Sequence, residues 1–396
     1  MNRLSFWKLL IPAISDLKFW KRSNSKTVAE MLGSPHPACP IRICGVTGYD
    51  GRTNDIVYCC PTIRAEKDTA LIFFGGDIQD FPENMEKHRD HKNYVKWNLE
   101  STALLLHSRF PDSHIVVIRP SRLTTPKLAS FMALVSSEMD QNRMEFRTFS
   151  CFDNFVPCNN CGVPDHTPTH HSLQHLERLL QGISQRLRSM PECELSPVTS
   201  PEQKAAQEAG REDGEILPHD AEENEEDDEE AEVPDGDPGA DGRKRLWWRE
   251  NLNLDRAHLV LVGFSKGCVV LNQLIYEFHY LKTLTPDDET MMRLVSRIRD
   301  MYWLDGGHVG GKNTWITSRS LLETLTRLGI RIHIHVTPYQ VQDDKRPWIR
   351  KEEKTFGDLL RRLGAPVERT LHFENQVASL HTHFELLTSF KTPGGN

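Results

Sequence analysis

The sequence predicts an α/β fold: a mostly parallel eight-stranded sheet with helices on both faces and a large insertion before the fifth strand. Three observations predict it. Short β-branched runs bounded by turns or charges recur along the chain, stretches with apolar residues at spacings of three and four separate most of them, and both patterns continue on either side of one acidic tract. The strands are expected at 41–49, 55–61, 69–76, 114–120, 258–265, 300–307, 330–339 and 369–373. Helices are expected at 94–110, 171–188, 266–283, 286–299, 318–329 and 348–363, the last closed by Gly364 as its C-cap. Strands joined by crossover helices pair in parallel. The first three runs have no helix between them, so the leading edge should be antiparallel hairpins.

The acidic tract decides how the charge is read. The 396 residues carry a net charge of −8, but residues 212–242 hold sixteen Asp and Glu and no Lys or Arg, which leaves the rest of the chain near +8. Residues 195–245 have almost no large apolar side chains, cannot offset the entropy of ordering a backbone, and read as a disordered insertion within one domain, with segments 40–194 and 246–392 on either side. The positive remainder is spread out and forms no cluster of Lys or Arg among aromatics, so nucleic acid is set aside as a partner. Nine cysteines, an odd number in a chain this long, fit a reducing compartment. No run of about eighteen apolar residues is present to cross a membrane.

Residues 1–28 are basic: the first 26 carry six Lys or Arg against Asp16 alone, with Leu, Phe, Trp and Ile between them. This is the composition of an amphipathic mitochondrial presequence, with a helix lying on a membrane surface as the competing reading. The localisation expected is the mitochondrion, matrix before other compartments, with the cytoplasm as the alternative.

The chemistry is carried by Leu259 to Leu274, LVLVGFSKGCVVLNQL, in which Gly263, Ser265 and Gly267 form G-x-S-x-G between an apolar strand and an apolar helix. That context is a nucleophile elbow: the serine is lifted from a sharp strand-to-helix turn, and glycine on both flanks removes side chains where strand and helix approach. The architecture it belongs to is the α/β-hydrolase fold. A serine needs a base, an acid to orient the base, and donors for the oxyanion. In chain order the acid is Asp343, after the seventh strand, with Asp344 beside it and Asp305, at the end of DMYWLDGG, as its rival; the base is His383, with His381 as the alternative. His308 stands near the strand ends and could line the pocket. The oxyanion donors expected are the backbone amides of Gly76 and Asp77, after FFGG, and of Lys266 at the helix start. The helix expected at 171–188, with FSCFDNFVP (149–157) before it, is expected to roof the site. Cys158 and Cys161 have C-x-x-C spacing, but no second pair completes a zinc motif, so no metal or other cofactor is expected. The partner expected is a small acyl-containing substrate, with peripheral membrane contact through the N-terminus.

The segments LVLVGFSKGCVVLNQL, MYWLDGGHVGGKNTWIT and HVTPYQVQDDKRPWIRKE resemble the mitochondria-localised chromosome 2 open reading frame 69 family. The similarity extends over FFGGDIQDF, WNLES, HSRFPDSHIVVI, FSCFDNFVP and the stretch from about 256 to 390, and the sequence departs from the family near 124–146, in the acidic insertion and at the N-terminus. The resemblance implies an α/β-hydrolase fold related to serine lipases and esterases, a mitochondrial location, a role in respiratory-chain or energy-metabolism homeostasis, and a triad at Ser265, Asp343 and His383. The function expected is hydrolysis of carboxylic esters or thioesters; the alternative is a catalytically silent hydrolase-fold scaffold.

Overall fold

A computed structural model of the chain describes residues 40–122, 150–159, 162–191, 195, 247–250, 252–308 and 310–390. The basic N-terminal segment, the stretch at 124–146 and almost all of the acidic insertion lie outside the described residues.

Eight strands form one sheet in the order β1-β2-β4-β3-β7-β8-β9-β10: β1 Ile41–Thr47, β2 Thr53–Cys59, β3 Thr69–Phe74, β4 Ser113–Ile118, β7 His258–Phe264, β8 Ile298–Leu304, β9 Arg331–Val336 and β10 Val367–Leu371. Ser121–Arg122 (β5) and Ser150–Cys151 (β6) pair separately as a two-stranded ladder. Each of the eight predicted runs is a strand of the main sheet. The expectation of hairpins among the first three holds only for β1 and β2, because β3 does not pair with β2 at all. Instead β3 lies between β4 and β7, parallel to both, and β2 joins the sheet antiparallel to β4. The physical reason is burial: β3 is apolar along nearly its whole length, with Ala70 to Phe74 fully buried, and such a strand belongs where both faces are covered.

The helices are α1 Pro82–Lys87, α2 Leu99–Arg109, α3 Ser172–Ser189, α4 Cys268–Leu284, α5 Glu289–Arg297, α6 Arg319–Arg327, α7 Pro338–Val341, α8 Pro347–Leu363 and α9 Leu380–Ser389. Asn98 caps α2 by accepting the Glu100 and Ser101 amides, and Gly364 closes α8 at φ 87°, a left-handed turn where a Cβ would be strained. The sheet separates two apolar layers. On one side β1, β3 and β7 pack with α3, α4 and α8, and on the other β2, β3 and β7 pack with α2 and α9. Helix α3 is therefore one of the covers of the sheet and not a roof over the site: its Leu173, Leu176, Leu179, Leu180, Ile183 and Leu187 are buried in the first layer. Phe152 and Phe155 of the preceding segment pack edge-on against Phe74 in the same layer. The apolar residues of α3 recur at three and four, the spacing of a helix that packs one face on a core.

Polar groups inside these layers make the fold sensitive to acid. Burial pulls the imidazoles of His114 and His166 down to about 4, and those of His175 and His335 down to about 3. His175, fully buried, accepts the Tyr49 amide on Nδ1 at 3.1 Å and so donates from Nε2 to Asn54 Oδ1 at 2.8 Å, a neutral tautomer fixed at both ends. In the unfolded chain each of these rings takes a proton near the ordinary value of about 6.5, whereas the folded chain resists until much lower pH. Below about pH 6.5 the unfolded state binds more protons, so stability falls as pH drops, by up to about 1.4 kcal/mol per pH unit for each ring. The urea midpoint should accordingly change little above about pH 7 and fall steeply between roughly pH 6.5 and 4. A flat midpoint over that range would mean that the four rings are not held neutral in the fold.

Candidate active site

The site is assembled at the carboxyl edge of the sheet. β7 ends at Phe264, and Ser265 to Gly267 form a single 3-10 turn that runs directly into α4. Ser265 has φ 52°, in the left-handed region that a non-glycine residue adopts at a cost, and this is the strained backbone of an elbow. The flanking glycines are required by contact. A Cβ on Gly263 would lie 2.8 Å from the Cys268 Cα, and one on Gly267 would lie 1.9 Å from the carbonyl oxygen of Phe74 in β3.

Asp305 follows β8, also in the left-handed region at φ 48°, and is fully buried. Its amide donates to the His335 carbonyl at 2.7 Å, and its carboxylate is held by the Thr337 amide at 2.8 Å and the Thr337 hydroxyl at 2.5 Å. The remaining partner of that carboxylate is His383, whose Nδ1 stands 2.6 Å from Oδ2. His383 is itself placed by α9. The Ser379 hydroxyl accepts the Thr382 amide while the Thr382 hydroxyl accepts the Ser379 amide, a reciprocal cap that fixes the first turn bearing the histidine. The imidazole stacks on Phe264, the residue before the serine, at 4.6 Å between ring centroids, with Tyr339 at 4.9 Å. Among the described residues no hydrogen bond joins the Ser265 hydroxyl to His383, and such contacts often tighten only with substrate bound.

The structure thus brings Ser265, His383 and Asp305 to one place and leaves Asp343 out of it. Asp343 lies beyond α7, where its carboxylate pairs with Arg346 Nε at 2.7 Å and accepts the Lys345 amide at 2.8 Å. Its neighbour Asp344 is exposed. The chain after β9 turns at once into α7 and carries both carboxylates away, whereas the end of β8 abuts β7 and points its aspartate at the histidine. His381, the alternative base, is exposed on the outside of α9 with its ring edge-on to Trp97 and Nε2 3.6 Å from Glu385. His308 is buried, with Nε2 3.1 Å from the Asn313 carbonyl oxygen.

The loop after β3 lies across the elbow: a Cβ on Gly76 would be 3.3 Å from the Ser265 Cβ. The Gly76 amide, however, donates to the Gln79 side chain at 2.9 Å, so of the three expected oxyanion donors those of Asp77 and Lys266 remain. Gln79 was not singled out in the sequence. It is fully buried, and its Nε2 donates to the Trp97 carbonyl at 2.7 Å and to Thr102 Oγ1 at 3.0 Å, which ties the loop to α2. A glutamine three residues after a Gly-Gly turn is the only signal that could have found it, and by itself it is weak. Gln79→Ala should cost about 1–3 kcal/mol of stability by taking the partner of the buried Gly76 amide and leaving the Trp97 carbonyl only the Thr102 hydroxyl. It should also lower kcat more than it raises KM, as measured by urea melts and ester kinetics, because the loop it holds lies beside the serine.

Next to the serine, Lys266 is buried and its Nζ lies 3.2 Å from Cys151 Sγ. Cys151, Asp153 and Cys158 offer ligand atoms that all lie within 4.8 Å of one another, the one metal-capable group of this kind among the described residues.

Comparison with known proteins places the chain in a family. A family model described as C2orf69 matches residues 42–142 and 139–366. The chain is 35% identical over 374 residues to "Mitochondrial protein C2orf69 homolog" of Mus musculus, covering 89% of this chain and 87% of that one. It is 34% identical over 319 residues to "Mitochondrial protein C2orf69" of Homo sapiens, covering 80% and 72% respectively. Among solved structures, esterase Est22 is similar at 12% identity and a TM-score of 0.39 over 90% of this chain and 78% of that one. The carboxylesterase EstE1, cloned from a metagenomic library, is similar at 8% identity and 0.36 over 90% and 85%.

Proposed function

We propose that this chain, which belongs to the C2orf69 family, is a mitochondrial serine hydrolase acting on carboxylic esters or thioesters through Ser265, His383 and Asp305. The observation that carries the proposal is the buried His383–Asp305 pair at 2.6 Å, set beside a serine at φ 52° in a glycine-flanked elbow. The Ser265 hydroxyl attacks the acyl carbonyl and its proton passes to His383 Nε2, while Nδ1–H stays bonded to Asp305. The oxyanion that forms is met by the amides of Lys266 and Asp77. His383 then gives its proton to the leaving alcohol or thiol, and water, activated by the same imidazole, clears the acyl-enzyme. The names of the mouse and human relatives support the mitochondrial location, and matrix import and a part in energy-metabolism homeostasis belong to the same proposal.

A second reading, a silent hydrolase-fold scaffold, is favoured by the missing hydrogen bond between Ser265 and His383. A fluorophosphonate probe separates the two. Labelling of the folded wild-type protein, lost in Ser265→Ala and in His383→Ala, supports the enzyme; a folded protein that stays unlabelled supports the scaffold.

A further inference from the structure

We propose that Cys151, Asp153 and Cys158 form a binding site for a soft divalent metal ion, zinc before others, on the loop packed against the side chain of Lys266. Zinc motifs in sequence are sought as paired short spacings, and here two cysteines seven residues apart are brought together by the fold with an aspartate between them. The three ligand atoms are already within 4.8 Å of one another. In a tetrahedral zinc site with Zn–S near 2.3 Å and Zn–O near 2.0–2.2 Å, ligand atoms stand about 3.5–3.8 Å apart, so closing the triangle requires shifts of only about an ångström. Two thiolates and a carboxylate select zinc over the oxygen-seeking magnesium and calcium.

The loop that carries them is held in place. The Phe152 carbonyl accepts the Phe155 and Val156 amides at 2.7 and 2.8 Å, the Asp165 amide donates to the Pro157 carbonyl at 2.8 Å, and Asn154 donates to the Thr53 carbonyl at 2.7 Å. Charge also fits. Two thiolates and a carboxylate are balanced by a dication together with the Lys266 ammonium, giving a neutral cluster, as partial burial demands. The Lys266 ammonium, with Nζ 3.2 Å from Cys151 Sγ, favours the thiolate that ligation requires. Thiols ligate as thiolates, so binding releases protons to solvent and tightens as pH rises. The fourth position of the metal is left to water.

The test uses the full chain, reduced and stripped with a chelator, and then titrated with Zn(II) and separately with Co(II). The expected result is one ion per chain, a thiolate-to-cobalt charge-transfer band, and protection of Cys151 and Cys158 together from alkylation when zinc is present. Cys158→Ser should remove the band and weaken zinc binding by more than the roughly 10–100-fold that loss of an outer partner costs. Its thermal melt without metal should match that of the stripped wild type. Should Cys158→Ser not fold, Asp153→Asn and the alkylation pattern of the wild type decide. Absence of the band, protection of other cysteines instead, or a Cys151–Cys158 disulfide that persists after reduction and excludes the ion would each overturn the proposal. Because none of these readouts is hydrolysis, they stand or fall apart from the activity of Ser265.

Discussion

Replacing Asp305 by asparagine is expected to lower ester turnover by about 10⁴-fold while the protein stays folded, and replacing Asp343 by asparagine should leave turnover essentially unchanged. An asparagine at 305 can keep a hydrogen bond to His383, but its amide favours the imidazole tautomer with the proton on Nε2, where it cannot accept one from serine. Asp343 is spent on Arg346 and the Lys345 amide, and its loss touches neither His383 nor Ser265. Steady-state kinetics on a short-chain aryl ester, with fluorophosphonate labelling alongside, reads both variants. Equal loss in the two, or loss in Asp343→Asn alone, would return the acid to the end of β9.

That pair of aspartates also marks where reading the sequence stopped. The elbow was legible because its physics is local: a strand, a turn whose serine must be flanked by glycine, and a helix are all written within sixteen residues. For the base the sequence offered His383 and His381, both in the first turn of a late helix, and only the packed fold shows that His383 is the one that meets a buried carboxylate. The acid depends on which strand end lies beside that helix in space, and chain order is satisfied equally by Asp305 and Asp343. Likewise the apolar run of β3 announced a buried strand without saying that it would lie between β4 and β7. The tie of Gln79 to Trp97 and Thr102, and the meeting of Cys151 with Cys158, are products of the packed fold that no sequence motif records.

Gly267→Ala should be the most damaging single substitution in the elbow. The added Cβ would lie 1.9 Å from the Phe74 carbonyl oxygen and 2.8 Å from that of Gly75, both backbone atoms of the central strand and the turn after it, so no side chain can swing aside. Relief requires α4 to move off β3, and both are fully engaged in the core. A cost of about 4 kcal/mol or more is expected, a large share of the roughly 5–15 kcal/mol that holds a domain together. The variant should accumulate as insoluble or protease-sensitive protein and take no probe. Soluble protein with a wild-type urea midpoint would show that strand and helix can separate at that point without loss.

The two strained residues stand at the ends of neighbouring strands whose parallel pairing sets Gly263 opposite Trp303 and Phe264 opposite Leu304. Continued by one residue, that alignment puts Ser265 level with Asp305. The distance between serine and acid is therefore counted in strand residues, and alternate residues of a strand face opposite sides of the sheet. The pair has a bulge at Arg299, where Ile298 faces Leu259 and Asp300 faces Val260, but from Asp300 to Leu304 the register is continuous, and a deletion of a single residue there would turn the carboxylate to the wrong face. The chain outside the sheet is under no such count: between β6 and β7 it runs through a long acidic stretch without shifting the two strands against each other. Tolerance of length in this protein is thus divided sharply, with wide freedom in the excursions between strands and none, to the residue, from the Val260–Asp300 pair to the serine and its acid.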